Sequence, residues 1–300
     1  MKKVILTGMF SFLTLMGFSQ NISDLLQSGT NNADINQTST GVFYNASDVD
    51  QNGASNDAQI TQVGNNESVL TQTGTLNMAT VNQVGGNGNP GFNQNRQDSS
   101  IDQDGTNNQA FVSQVSGVGN NFASGNSSVL TQNNTASSNG VGNFATITQT
   151  KRNQTSTATQ TNGNNYLSVT QERDLSNVSI SNQTSSELSS GSLAGGYLNR
   201  STVMQRFRRN FSDVAQNGDN NDSSVNQSST LNSTPMTNEA YIVQDGDLGT
   251  SVLVQNNLNN SLRGDNTATV MQTNMVNGLG NMNTATQLGA NTATVTQTNN

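Results

Sequence analysis

The sequence predicts an all-β fold: a flattened β-solenoid of about ten or eleven stacked strand–turn–strand rungs, cross-β in geometry, behind an N-terminal signal peptide. Three observations predict it. A short segment that alternates inward and outward residues recurs along almost the whole chain. Its closing glutamine returns repeatedly at a spacing of eleven residues. Asn, Gln, Ser, Thr and Gly dominate the composition, and Cys, His and Trp are absent.

The chain opens with a basic head, Lys2 and Lys3, and a mostly apolar run from Val4 to Phe18. Gly17 and Ser19 are small residues placed for cleavage before Gln20. This is the pattern of a secretory signal peptide, so residues 1–19 are read as a leader and 20–300 as one repeat array. The apolar run is too short, and lacks the flank, for a membrane span. No later segment is apolar enough to cross a bilayer, so the expected location is extracellular or on the cell surface.

Composition alone points toward disorder. Leu, Ile, Val and Phe make up about a fifth of the chain, close to the level at which a core fails. Without cysteine there is no disulfide framework to compensate. The net charge of −8 argues against a nucleic-acid partner. Only periodicity can overturn disorder, and here it does.

The unit is Asn-x-small-x-aliphatic-x-Gln. It reads Asn56, Ala58, Ile60, Gln62, then Asn66, Ser68, Leu70, Gln72, then Asn77, Ala79, Val81, Gln83. Further copies run Asn108 to Gln114, Asn143 to Gln149, Asn210 to Gln216 and Asn266 to Gln272. A late copy is Asn291, Ala293, Val295, Gln297. Steps of two define a strand, because alternate residues share a face. The Asn, small, aliphatic and Gln residues therefore point inward as a ladder, and the Thr, Ser, Asp and Asn between them face water.

Gln51 to Gln62, Gln72 to Gln83, Gln103 to Gln114, Gln149 to Gln160, Gln205 to Gln216 and Gln216 to Gln227 are all eleven apart. Seven residues make a strand, and four remain for a turn such as Val63 to Asn66. Gly and Asn there supply left-handed backbone conformations. Two strands and two turns close one rung, and the next stacks at about 4.8 Å. Longer steps, such as Gln114 to Gln132 and Gln227 to Gln244, place their extra residues in bulging turns. Degenerate copies fall near Gln94, at Asn182 in place of Gln, and at Ala285 with Gln287.

A single repeat buries one aliphatic side chain, too little to offset the entropy of ordering its backbone. Stacking supplies the rest. Asn and Gln suit it because each amide can donate to one neighbour and accept from the other.

The stretch Asn56-x-Ala58-x-Ile60-x-Gln62-x-Gly64-x-Asn66-x-Ser68-x-Leu70-x-Gln72 resembles the curlin repeat of bacterial curli fibres. The resemblance covers nearly all of the chain after the leader. It departs from the family in starting both strands with Asn, in its length, and in beginning the repeats almost at the cleavage site. The resemblance implies a secreted functional-amyloid subunit of biofilm matrix and adhesion. It also implies self-assembly into fibres, with other curli-like subunits and an outer-membrane export pore as partners.

Catalysis has no support. There is no His or Cys to act as base or thiol nucleophile, and the Ser residues fit strand and turn slots. Asp48, Asp50, Asp102 and Asp104 fall on the outer face or in turns, where charge guards a β surface. No metal or cofactor motif is present. Arg200, Arg206, Arg208 and Arg209 form the basic cluster, read either as a contact patch for an acidic polymer or subunit or as a solvated turn. Two other functions stay open. One is a monomeric β-solenoid surface adhesin. The other is an ice-binding protein, suggested by outward Thr292, Thr294, Thr296 and Thr298. Asn266 to Asn300 carries no charge, and this segment is expected to be the growing or nucleating edge.

Overall fold

The computed structural model describes residues 21–39, 44–85, 96–116, 125–134, 142–172, 176–185, 199–229, 237–257, 265–274 and 280–299. The expected leader and the degenerate copy at Gln94 lie outside them. Among the described residues there are nineteen strands and no helix.

The strands form two facing layers. One layer holds the first parts of β1 (Ile22–Thr38) and β2 (Asn45–Val63), then β3 (Asn66–Thr75), β5 (Gln97–Thr106), β7 (Ser127–Asn134), β9 (Gln154–Thr161), β11 (Asn177–Thr184), β13 (Asn210–Asn217), β15 (Asn238–Gly246), β17 (Asn266–Asn274) and β19 (Thr292–Asn299). The other holds the second parts of β1 and β2, then β4 (Met78–Val84), β6 (Gln109–Val115), β8 (Phe144–Thr150), β10 (Asn165–Glu172), β12 (Asn199–Arg206), β14 (Asn221–Ser229), β16 (Thr250–Asn257) and β18 (Met282–Leu288). β1 and β2 each run through two arms, so nineteen strands make twenty-one arms, or ten and a half rungs.

Every arm pairs in parallel with the arm two steps along the chain, and like residues sit over like. Gln51 aligns with Gln72 and Gln72 with Gln103. Longer turns leave the register intact, since Gln216 still aligns with Gln244 and Gln227 with Gln255. The core between the layers is a column of aliphatic residues, Val49, Leu70, Ile101 and Leu130 on one side and Ile60, Val81, Val112 and Ile147 on the other, all buried. The narrow inner face admits these residues, small Ala or Ser, and the amides, which is why so few apolar side chains suffice.

Turns set the pitch. Gly53, Gly74 and Gly105 stack directly on one another. Gly74 has φ +107°, and a Cβ there would come 2.0 Å from the Gly105 carbonyl oxygen. Only glycine admits both that conformation and that approach.

Two sequence expectations need correction. The turn after Val63 has two residues, Gly64 and Asn65, because Val63 still belongs to β2 and the buried Asn66 already begins β3. The second concerns β11. Reading Asn182 as the closing amide turns Ile180 inward, whereas the structure sets Asn177, Ser179, Ser181 and Gln183 inward and leaves Asn182 exposed. A shift of one residue flips every side chain to the other face. Gln183 wins because it accepts from Gln160 and donates to Gln216, both at 2.9 Å. Losing those bonds would strand buried amides, a larger cost than half-exposing one Ile. Ser181 thereby takes the aliphatic slot, with a buried hydroxyl that has no partner among the described residues.

Candidate assembly surface

Each closing glutamine amide with described arms on both sides bonds along two directions. Along the column, its Nε2 donates to Oε1 of the glutamine on the next rung. Gln62 donates to Gln83, Gln83 to Gln114 and Gln114 to Gln149, each at 2.8 Å. Across the core, Nε2 also donates to a backbone carbonyl of the preceding arm. Gln62 reaches Ala46 at 3.0 Å, Gln72 reaches Asp57 at 3.2 Å and Gln216 reaches Arg200 at 2.9 Å. The glutamines thus hold rung to rung and layer to layer.

The asparagine column runs the opposite way. Asn Oδ1 accepts the backbone N–H of the Asn one rung further on, as from Asn77 to Asn56 at 3.1 Å and Asn108 to Asn77 at 3.0 Å. Asn66, Asn238 and Asn266 also donate Nδ2 to the Asn one rung back. The stack is therefore polar. Gln N–H groups and Asn Oδ1 atoms face its C-terminal end; Gln Oε1 atoms and Asn N–H groups face its N-terminal end.

The two ends expose these groups. At the N-terminal end, Gln27 and Gln37 donate forward to Gln51 and Gln62, and among the described residues nothing donates to their Oε1 atoms. Ile22, Leu25 and Leu26 are exposed there. At the C-terminal end, Gln297 accepts from Gln272 and donates only to the Met282 carbonyl, while Asn291 Oδ1 accepts nothing among the described residues. Met282 and Leu288 are exposed beside them.

The sequence-derived ladder falls into two groups. Asn56, Ala58, Ile60, Gln62, Asn66, Ser68, Leu70, Gln72, Asn77, Ala79, Val81, Gln83, Asn108, Gln114, Asn143, Gln149, Asn210, Gln216, Asn266 and Gln272 are all buried. Ala293, Val295 and Gln297 are half-buried and Asn291 exposed, because no rung covers them. The N-terminal edge is the first rung of the array. The copies Asn21 to Gln27 and Asn31 to Gln37 build it, and both keep the same spacing.

The four arginines do not form one patch. Arg200 is the second residue of β12 and stacks over the Tyr166 ring at 5.5 Å. Arg206, six residues on along the strand, ends β12 and pairs with Glu172 at 3.3 Å. Arg208 and Arg209 lie in the following turn, where Arg209 has φ 52°. The outer column that would carry an ice lattice is also mixed, running Asp48, Val69, Ser100, Val129, Thr157, Ile180, Asp213, Tyr241, Thr269, Thr294. Asp48, Asp50, Asp102 and Asp104 all point outward and are exposed.

Partial desolvation against the sheet surface raises the carboxyls of Asp98 and Asp213, and that of the more exposed Asp102, above the ordinary range; the Asp104 charge adds to the effect at Asp102, and Arg96 opposes it at Asp98. Such a group binds its proton more tightly in the folded array than in the unfolded chain. Lowering pH through the raised values therefore stabilises the array, and the gain is complete below the ordinary carboxylate value. Partial exposure keeps the effect modest. The thermal midpoint of the array should rise as pH falls from neutral toward about 4, and Asp102→Asn should flatten that dependence. A midpoint that falls over the same interval would contradict the assignment.

A parallel two-layer solenoid with polar amide columns and two open ends defines a cross-β repeat protein. Residues 199–228, spanning β12, β13 and nearly all of β14, match the family described as curlin associated repeat. The chain thus carries a curlin associated repeat, and the matched segment shares its register with the arms on either side. No curated protein and no solved structure matches the chain. Among the described residues, no helix is long and apolar enough to cross a membrane.

Proposed function

We propose that this protein is a non-catalytic structural subunit of a curli-like extracellular amyloid fibre, serving cell adhesion and biofilm matrix. One observation carries the reading: the donor and acceptor sets on the two open ends are complementary. An uncovered edge strand templates further pairing unless charge, proline or a covering element blocks it. Here one end offers Gln N–H and Asn Oδ1, and the other offers Gln Oε1 and Asn N–H. A contact between unlike ends does not close on itself, so it propagates as a filament. The curlin repeat within 199–228 supports self-assembly and an extracellular or surface location. Passage through an outer-membrane pore belongs to the same reading.

The test is fibre formation by the purified chain. Unbranched fibrils are expected, with reflections near 4.8 Å along the fibre and about 10 Å between layers. A chain that stays monomeric at high concentration, without these reflections, would favour the monomeric adhesin.

A further inference from the structure

From the reach-back bonds of the glutamines we infer that successive copies of this chain join with a half-turn about the fibre axis, the first arm of the incoming copy stacking on β18 and its second arm on β19. This rests on the fibre reading above and specifies its junction.

The carrying observation is a regular bond with one open donor and one open acceptor. Each closing glutamine donates Nε2 to the carbonyl of the outward residue that follows the first inward position in the preceding arm. Gln37 reaches Ile22, Gln51 reaches Asn32, Gln62 reaches Ala46 and Gln72 reaches Asp57. At the far end Gln272 reaches Thr250, Gln287 reaches Thr267 and Gln297 reaches Met282. Among the described residues no arm precedes that of Gln27, and its amide donates only to Gln51. Among the described residues, the carbonyl of Thr292, at the equivalent place in β19, receives no glutamine. An incoming first arm that continues the winding lets its Gln27 reach Thr292.

Arm number then fixes the orientation. Among the described residues the arms alternate between the two layers, and their number, twenty-one, is odd. The last arm, β19, lies in the same layer as the first. A continuing arm must therefore lie in the opposite layer, on β18, and the copy it begins is turned by half a revolution. Placing the first arm on β19 instead would leave one strand position vacant above β18, and Gln27 would face that vacancy.

The half-turn also matches inward residues. The first arm brings Leu25 over Ala285 and Gln27 over Gln287. The second brings Ala33 over Ala293, Ile35 over Val295 and Gln37 over Gln297. Ala285 is only partly buried in the single chain, so Leu25 covers it. Both layers share one inward alphabet, so an arm of one layer fits the column of the other.

Cysteine pairs test the junction, since the chain has no cysteine of its own. Asp24 and Thr284 are both outward and occupy equivalent places in the first arm and β18, as do Asn36 and Thr296 in the second arm and β19. Fibres of the Asp24→Cys/Thr284→Cys chain should oxidise to ladders of linked subunits, and so should Asn36→Cys/Thr296→Cys. Asp24→Cys/Thr294→Cys should give only background. Linkage in that last chain, or in none of the three, would overturn the half-turn while leaving the fibre intact. Helical reconstruction of fibres from the unsubstituted chain gives an independent reading. It should show a rise of about 50 Å per subunit with a rotation near half a turn beyond the solenoid's own twist; a rotation without the half-turn would overturn the inference. If the unsubstituted chain makes no fibres, the fibre reading fails and the junction fails with it.

Discussion

Replacing Gln62 and Gln83 together with Ala should cost the array several kcal/mol and lengthen the lag before fibrils, whereas replacing Thr61 and Asn82 should do little. All four lie on neighbouring arms, but they face opposite ways: Gln62 and Gln83 are fully buried and Thr61 and Asn82 are exposed. The double substitution removes the Gln62–Gln83 bond and leaves the Gln37 amide and Gln114 Oε1 without their column partners. It also strips the donors from the Ala46, Glu67 and Gln97 carbonyls. Each buried group left unpaired costs about 1–3 kcal/mol, and the cavity adds to it. The two glutamines touch, so their effects will not simply add. Denaturation midpoints and fibril lag times measure both sets. Equal losses from the inward and outward pairs would mean that side-chain amides do not hold the rungs.

Most of this architecture was legible because a two-residue period states which face is which, and the period is carried by chemically distinctive residues. Asn56, Ala58, Ile60 and Gln62 announce an inward face without ambiguity. The reading failed at β11 for a specific physical reason. Ile180 is the aliphatic residue there, so hydrophobicity favours one frame, while Gln183 favours the other. The amide column decided, and its strength depends on neighbours two arms away, Gln160 and Gln216. No local pattern contains that information. The polarity of the columns was hidden for a related reason. An amide can donate in either direction, and only the assembled backbone fixes Gln to donate forward and Asn to accept. The arginines illustrate the converse: closeness in sequence suggested a patch, but an extended strand carries Arg200 and Arg206 to opposite ends of β12.

The same polarity makes the C-terminal end a place where one charge should stop growth without unfolding the subunit. Val295→Lys places an ammonium on the inward face of β19, where Val295 is half-buried and pairs with Val270. In the single chain the long side chain can bend past the uncovered edge and keep its charge in water. Once a second copy stacks there, the charge is sealed between aliphatic residues with no carboxylate to pair it, an arrangement that costs far more than a surface charge. The monomer should keep its strand content and lose at most about 1–2 kcal/mol, in the range of an edge substitution. Spontaneous assembly should slow by at least tenfold. The same substitution at outward Thr294 serves as the control, because a stacked copy leaves that position in solvent. Adding the Val295→Lys chain to growing fibrils of the parent separates the two ends. Its N-terminal edge is intact, so it should add once at a parental C-terminal end and then cap it, arresting elongation at that end at substoichiometric amounts. If Val295→Lys assembles as fast as the parent, the C-terminal edge takes no part in growth and the head-to-tail junction is wrong.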